Sequence, residues 1–341
     1  MPILGAERML GFALGRQALV FALKYLFPQK GLIAIPDYIC HEVPKAVRHA
    51  GHEVLYYRIG LDLKPDMDSV RESLVNGAHA ILVVHYFGFP AQMDEILALC
   101  RQRGVVLIED CAHCYPSWTG NRLVGEQGAL AIFSPRKFLP LPDGGALLIN
   151  DEDFWLRAAR ALSEVPRSAT LVAKWQVKEL AGLLKFDGAL SRVSRFLRST
   201  WSLGRASDDA ELNPAKPSDL SLYIASKYDP GQIVTIHRSH YERLATLMED
   251  IPQLKPMFAA LPEGIAPLYF PMRTANARNI CQALLEKGIE LTLWPCLPPE
   301  VENDPQAFAA NKLAREVIGI PLHAQADPDV VLRALKNCLR L

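Results

Sequence analysis

Two residues able to do acid–base chemistry close successive apolar runs in the middle of the chain. Val105 to Ile108 leads into Glu109 and Asp110, and Ala129 to Phe133 leads into Ser134 and then Lys137. A third run, Ala146 to Ile149, follows the pair Gly144-Gly145. Short apolar runs bounded by turn residues read as buried strands. In an open α/β sheet, ligands bind outside the carboxyl ends of the strands, so Asp110 and Lys137 are expected to share one crevice. An acid and an amine at one site suit pyridoxal 5'-phosphate, which needs a lysine for its Schiff base and an acid beside its pyridine nitrogen. The lysine can then carry a proton to and from the substrate carbon. The same spacing also fits a strand-end acid and an unrelated solvated lysine.

The wording of the segment narrows the choice. IEDCAHC (Ile108 to Cys114), a glycine-containing turn and FSPRKFLPLPDGGAL (Phe133 to Leu147) resemble the cofactor-binding core of the DegT/StrS family. These are fold-type-I pyridoxal-phosphate enzymes, mostly nucleotide-sugar aminotransferases. The resemblance implies that Asp110 is the pyridine-nitrogen partner, His113 the residue near the ring and Lys137 the Schiff-base lysine. Asp143-Gly144-Gly145 matches the family's acidic-Gly-Gly tail. The family's phosphate-binding serine, five residues before the lysine, is Ile132 here, and Ser134 is the candidate to replace it.

Further blocks carry the same resemblance. Gly15-Arg16-Gln17 opens an apolar helical stretch where the family binds the cofactor phosphate; a helix start presents free N–H groups to an anion, and Arg16 can add charge-assisted bonds. Cys40 falls at the family's ring-stacking position, with Tyr38 and His41 as neighbours able to take that part. HYFGFPAQMDE (His85 to Glu95) resembles the H-x-x-G-x-P-x-x-M-D block and puts His85 at a strand end near the cofactor. IPLH (Ile320 to His323) resembles a small-domain signature and makes His323 a candidate substrate contact. The family's Asn-x-Arg block is absent; SKYDPGQI (Ser226 to Ile233) occupies its place, with Lys227 as the substitute.

Those residues need a scaffold. Apolar periodicity from residue 15 to 150 alternates helix and strand, which predicts a mostly parallel sheet covered by helices. The expected fold is thus α/β, a fold-type-I architecture with a seven-stranded-type sheet in a large unit over 1–230 and a small C-terminal α/β unit over 231–341. Met1 to Gly15 reads as a lead-in. Ala206 to Asp219 reads as a polar linker, Ile289 to Pro295 as a strand and Lys312 to Gly319 as a short helix.

Composition bounds the rest. The chain has 341 residues, half of them hydrophobic, enough for a large core. Formal net charge is zero, so nothing points to nucleic acid. Cys111 and Cys114 form a C-x-x-C without a second ligand pair, so no metal is expected. No basic leader with an apolar core opens the chain, and no apolar run is long enough for a bilayer; a cytoplasmic enzyme is expected. Arg157 to Arg205 holds ten Lys and Arg against three acids. That segment fits an anionic membrane surface, a dimer interface or a groove for a nucleotide-sugar diphosphate.

The functional expectation is a pyridoxal-phosphate aminotransferase, a homodimer moving an amino group from a donor such as glutamate to a keto-sugar, in a polysaccharide pathway. The alternatives are a lyase, a non-sugar aminotransferase, or a catalytically silent cofactor-binding homologue in an envelope pathway.

Overall fold

The computed structural model describes residues 7–27, 29–168, 209–249 and 251–339. Most of the basic segment, residues 169–208, lies outside the described residues.

The apolar runs become a seven-stranded sheet in the order β1-β9-β8-β5-β4-β2-β3. Its strands are β1 (Met9–Phe12), β2 (Leu32–Pro36), β3 (Glu53–Tyr57), β4 (Ala78–Val84), β5 (Val106–Cys111), β8 (Leu130–Phe133) and β9 (Gly145–Ile149). β9 pairs antiparallel with both β8 and β1, while β8, β5, β4, β2 and β3 run parallel. The mostly parallel sheet of the sequence reading is therefore present, with one reversed strand. β5 is central because its residues Leu107 and Ile108 can be buried on either face; parallel sheets covered on both sides demand such continuous apolar runs. A short antiparallel ribbon, β6 (Trp118–Thr119) and β7 (Arg122–Leu123), lies between β5 and β8 in sequence.

Helices connect the parallel strands, and their ends follow local chemistry. Asp66 caps the helix Met67–Val75, its side chain accepting from the N–H groups of Asp68 and Ser69. Gly104, at φ 66°, stops the helix Asp94–Arg103.

A second, four-stranded antiparallel sheet has the order β10-β11-β13-β12. It comprises β10 (Lys255–Pro256), β11 (Tyr269–Arg273), β12 (Thr292–Leu293) and β13 (Val317–Pro321), with helices Ala277–Glu286, Phe308–Glu316 and Pro328–Leu339. The long helix Pro230–Met248 precedes it, capped by Asp229 with Pro230 in its first turn. One continuous apolar core includes residues of both sheets, from Ile108 to Phe270 and Ile318.

Three expectations needed revision. The lead-in contains β1, whose four residues are too few to show alternation. The strand foreseen over 289–295 shrinks to Thr292–Leu293, because Pro295 and Pro298 cannot donate to a ladder. The helix foreseen over 312–319 ends at Glu316, and Val317–Pro321 is a strand instead; its β-branched residues suit the pleat.

β8 and β9 form a hairpin whose loop, 134–144, emerges at the carboxyl end of β8. The loop is pinned to the start of the helix Gly15–Phe21: the Gly144 N–H donates to the Ala13 carbonyl at 2.6 Å. A Cβ on Gly145 would lie 2.2 Å from the Leu14 carbonyl carbon, so only glycine fits between these backbones. Gly145→Ala is expected to cost about 2–3 kcal/mol through overpacking, measured as a lower urea midpoint; an unchanged midpoint would contradict this contact.

Candidate active site

β5 and β8 are parallel neighbours in the register Asp110 opposite Ile132 and Cys111 opposite Phe133. Both strands therefore end together, and the β8–β9 loop rises beside Asp110. Lys137 closes the first turn of that loop, Pro135–Lys137, its N–H bonded to the Ser134 carbonyl at 3.0 Å. The Asp110 carboxylate and the Lys137 amine act on each other electrostatically. Asp110 also accepts the Ala112 N–H at 3.0 Å. Lys137 keeps contact with solvent although protein atoms crowd it, which is the signature of a crevice wall. Burial raises the Asp110 carboxyl pKa, with the Ala112 N–H and Lys137 pulling it down.

Aromatic rings line the crevice. His113 is buried, and burial together with Lys137 holds its imidazole well below 6.5, hence neutral. Its ring meets Trp294 edge-on at 5.1 Å and Tyr269 at 5.8 Å, and lies roughly parallel to Phe87 at 6.3 Å. Gly88 permits the approach: at φ 106°, a Cβ there would lie 2.4 Å from the His113 carbonyl oxygen. Cys40 is half-buried and interacts electrostatically with Lys137. Its neighbours point elsewhere. Tyr38 is fully buried and donates to the Trp294 carbonyl at 2.7 Å, and His41 pairs with Glu42 at 3.1 Å. Neither is free to stack on a ring in the crevice.

The other end of the crevice is charged. A Cβ on Gly15 would be 3.2 Å from the Phe133 carbonyl, 3.6 Å from Ile132 Cγ2 and 3.7 Å from Ser134 Cβ, so the helix start abuts the end of β8. Arg16 pairs with Glu211 at 2.8 Å and Glu42 at 3.4 Å. Gln17 donates to the Glu211 carbonyl at 3.0 Å. Arg136, next to Lys137, is exposed and senses Arg16, Asp143, Glu211 and Glu42. Ser134 is buried at the base of this corner. Asp143 is fully buried beneath it, accepting the Ser218 N–H at 3.1 Å, while its own N–H donates to Ser221 Oγ at 3.2 Å.

His85 stands beside Asp110, its backbone N–H donating to the Asp110 carbonyl at 3.1 Å. His85 is buried with both ring nitrogens engaged: Nδ1 accepts the Ala91 N–H at 2.9 Å and Nε2 donates to Glu109 at 2.9 Å. That bonding engages both ring nitrogens within the protein. Glu109 also accepts from Gln127 at 2.8 Å and Gly128 at 2.6 Å. His85, Glu109 and Cys111 cluster closely enough for a metal, but the histidine and carboxylate lone pairs are already used within the protein. His323 is half-buried beside Gln325, His240 and Glu290, beyond the inner wall. Lys227 is exposed and sits over the Tyr223 ring at 5.0 Å. The sequence reading missed Arg136, Trp294 and the Ser218–Ser221 contact with Asp143. Adjacency to Lys137 was the available signal for Arg136. For Trp294, far along the chain, there was none.

Comparison with known proteins fits this geometry. The DegT/DnrJ/EryC1/StrS aminotransferase family pattern matches residues 3–180, just over half of the chain. The chain is 25% identical to the dTDP-4-dehydro-2,3,6-trideoxy-D-glucose 4-aminotransferase of Saccharopolyspora spinosa over 78% of this chain and 66% of that protein. It is 32% identical to the L-glutamine:scyllo-inosose aminotransferase of Streptomyces griseus over 37% of this chain and 31% of that protein. The matches thus span about a third to two thirds of these curated relatives. Among solved structures, Helicobacter pylori PseC, an aminotransferase involved in pseudaminic acid biosynthesis, superposes with a TM-score of 0.70 at 15% identity, over 99% of this chain and 87% of that one. The sheet order and these superpositions give the chain the fold of those aminotransferases. It belongs to the DegT/DnrJ/EryC1/StrS aminotransferase family.

The crevice fits pyridoxal phosphate. An acid and a lysine act on each other beside the ends of adjoining strands, and among the described residues the buried atoms without a protein hydrogen bond include His113 Nδ1 and Arg16 Nε. A ring substituent and an anion would satisfy them. Burial lowers the Lys137 pKa from the 10.5 of a free lysine, with Asp110 pulling it back up. A lowered pKa makes the nucleophilic free amine available at lower pH. The rate of borohydride-trapped labelling of Lys137 by pyridoxal phosphate is therefore expected to level off below pH 10.5. In Asp110→Asn, which lacks the raising charge, the plateau should move lower still; a rate that keeps climbing like that of a solvated lysine would contradict the geometry.

Proposed function

We propose that the protein is an aminotransferase that takes an amino group from a donor such as glutamate and delivers it to a keto-sugar in nucleotide-linked form. The observation that carries the reading is the meeting of Asp110 and Lys137 at the ends of adjoining strands. The family and the sugar aminotransferases similar to this chain support it.

Each residue has a part. Lys137 would hold the cofactor and, as a free amine, would move the proton at the substrate carbon. Bound pyridoxal phosphate supplies the electron sink for that carbon. Asp110 holds the proton on the ring nitrogen, because a carboxylate beside it favours the charged form. His113, neutral and aromatic-walled, orients the ring, and Trp294 and Tyr269 keep water from that side. Ser134, Gly15, Arg16 and Gln17 would hold the cofactor's phosphate, and Cys40 would contact its ring.

The same reading includes a homodimer with the active sites at its interface, where the exposed Lys227 of one subunit could approach the other's crevice. It also includes a cytoplasmic location, a polysaccharide pathway and a division near residue 230. Among the described residues no helix is long and apolar enough to cross a membrane.

The test is an absorption spectrum with pyridoxal phosphate, before and after glutamate. A visible band that glutamate bleaches is expected, and a keto-sugar should restore it. Lys137→Ala should lose the lysine-linked band and about a thousandfold or more in turnover. Asp110→Asn should keep the band and slow bleaching about a hundredfold. A band that no amino donor bleaches would overturn amino transfer and leave the silent or lyase reading.

A further inference from the structure

The family's phosphate-binding hydroxyl is replaced in this chain by Ile132, whose Cγ2 lies 3.6 Å from where a Gly15 Cβ would stand. A methyl group there can donate nothing. Across the same corner two guanidinium groups repel each other, those of Arg16 and Arg136. Like charges brought together at a protein surface mark a place where an anion can sit between them.

Their surroundings differ. Arg16 is held by two carboxylates, Glu211 at 2.8 Å and Glu42 at 3.4 Å, yet its Nε is buried without a hydrogen-bond partner. Arg136 is exposed, and among the described residues its guanidinium is steered by Asp143, Glu211 and Glu42 only through space. Its backbone is fixed: the Arg136 N–H donates to the Gly144 carbonyl at 3.3 Å, and Gly144 in turn donates to Ala13 just before the helix start. Arg136 thus stands on the same short turn as Lys137, within electrostatic reach of Arg16.

We propose that Arg136, together with Arg16, is the phosphate anchor of this chain's cofactor, and that the Glu211 carboxylate is an internal anion competing for the same pair. The inference rests on the reading that the crevice holds pyridoxal phosphate. A guanidinium offers a planar fork matched to phosphate oxygens, so it replaces a lost serine with a charged donor. The segment carrying Glu211 is attached over this corner by the Gln17 bond to the Glu211 carbonyl and by the Ala13 N–H to the Ala215 carbonyl at 2.7 Å. A phosphate entering the pair would take over from Glu211 without leaving either arginine uncompensated.

The test compares pyridoxal phosphate with pyridoxal, which lacks the phosphate, by titrating the Lys137-dependent visible band. Arg136→Gln is expected to weaken pyridoxal phosphate binding about tenfold or more while leaving pyridoxal within about twofold. Inorganic phosphate should compete with the cofactor in the unmodified protein and lose that competition in the variant. Glu211→Gln should tighten pyridoxal phosphate severalfold and leave pyridoxal alone. An unchanged ratio of the two affinities in Arg136→Gln overturns the inference. If that ratio holds but glutamate bleaches the band only at higher concentration, Arg136 recognises the donor's carboxylate instead, and the phosphate assignment is wrong. Absence of any Lys137-dependent band in the unmodified protein would remove the cofactor reading itself, a failure distinct from an unmoved ratio.

Discussion

Glu109 is a carboxylate at the centre of the main sheet with no exposure to solvent. A charge there is tolerable only if its oxygens are fully hydrogen-bonded. The chain meets that demand with the Gln127 and Gly128 N–H groups on one oxygen and His85 on the other. Those donors come from the loop before β8 and from the end of β4, so one buried carboxylate ties the ends of β4 and β5 to the start of β8. Consecutive strand residues face opposite sides. Holding Glu109 inward on one face therefore aims Asp110 out of the other, toward the β8–β9 loop. The alignment of Asp110 with Lys137 is a consequence of how the preceding residue is satisfied.

The second constraint is backbone contact. The hairpin loop that bears Lys137 can rise only at the end where β5 also finishes, because β8 and β5 are parallel. Gly144 and Gly145 then let the loop's return strand pass directly against Ala13 and Leu14. The amine in this position feels two opposing effects, loss of water and attraction to Asp110, and loss of water is the larger. The aromatic wall of His113, Tyr269 and Trp294 acts in the same direction by excluding solvent. Fold and electrostatics meet in that balance: a lysine crowded by protein atoms yet open to solvent, beside an acid placed by strand register.

What the sequence made legible follows from the range of each signal. The runs ending in Asp110 and Lys137 are local and apolar, so their strand character and shared end could be read directly. β1 could not, since Met9–Phe12 is short and lies in a segment without periodicity. His85 illustrates a different limit. A histidine at a strand end resembles a ligand-facing residue whether its nitrogens are free or taken, and only the fold reveals that Ala91 and Glu109 take them. Trp294 joins His113 from a proline-rich stretch 181 positions later by number; no local pattern reports such a contact. The polar stretch Ala206 to Asp219 reads as linker because its composition is that of a loop. Yet Ser218 and Ser221 are buried against Asp143, and composition says nothing about burial.

The departure at Ile132 is coherent with its surroundings. Position 132 is paired with Asp110 on one side and Leu147 on the other, and its side chain is buried against the start of the first helix. An apolar residue there strengthens the contact between sheet and helix but removes a neutral donor from the anion corner. Two guanidiniums cannot occupy such a corner unopposed, because their mutual repulsion grows as water is excluded. Glu42, Glu211 and Asp143 supply the opposing charge within the chain. A corner built this way keeps its charge balance when one anion is exchanged for another. A corner built on a serine hydroxyl has no such internal stand-in, since its neutral donor needs no counter-charge when the phosphate is elsewhere.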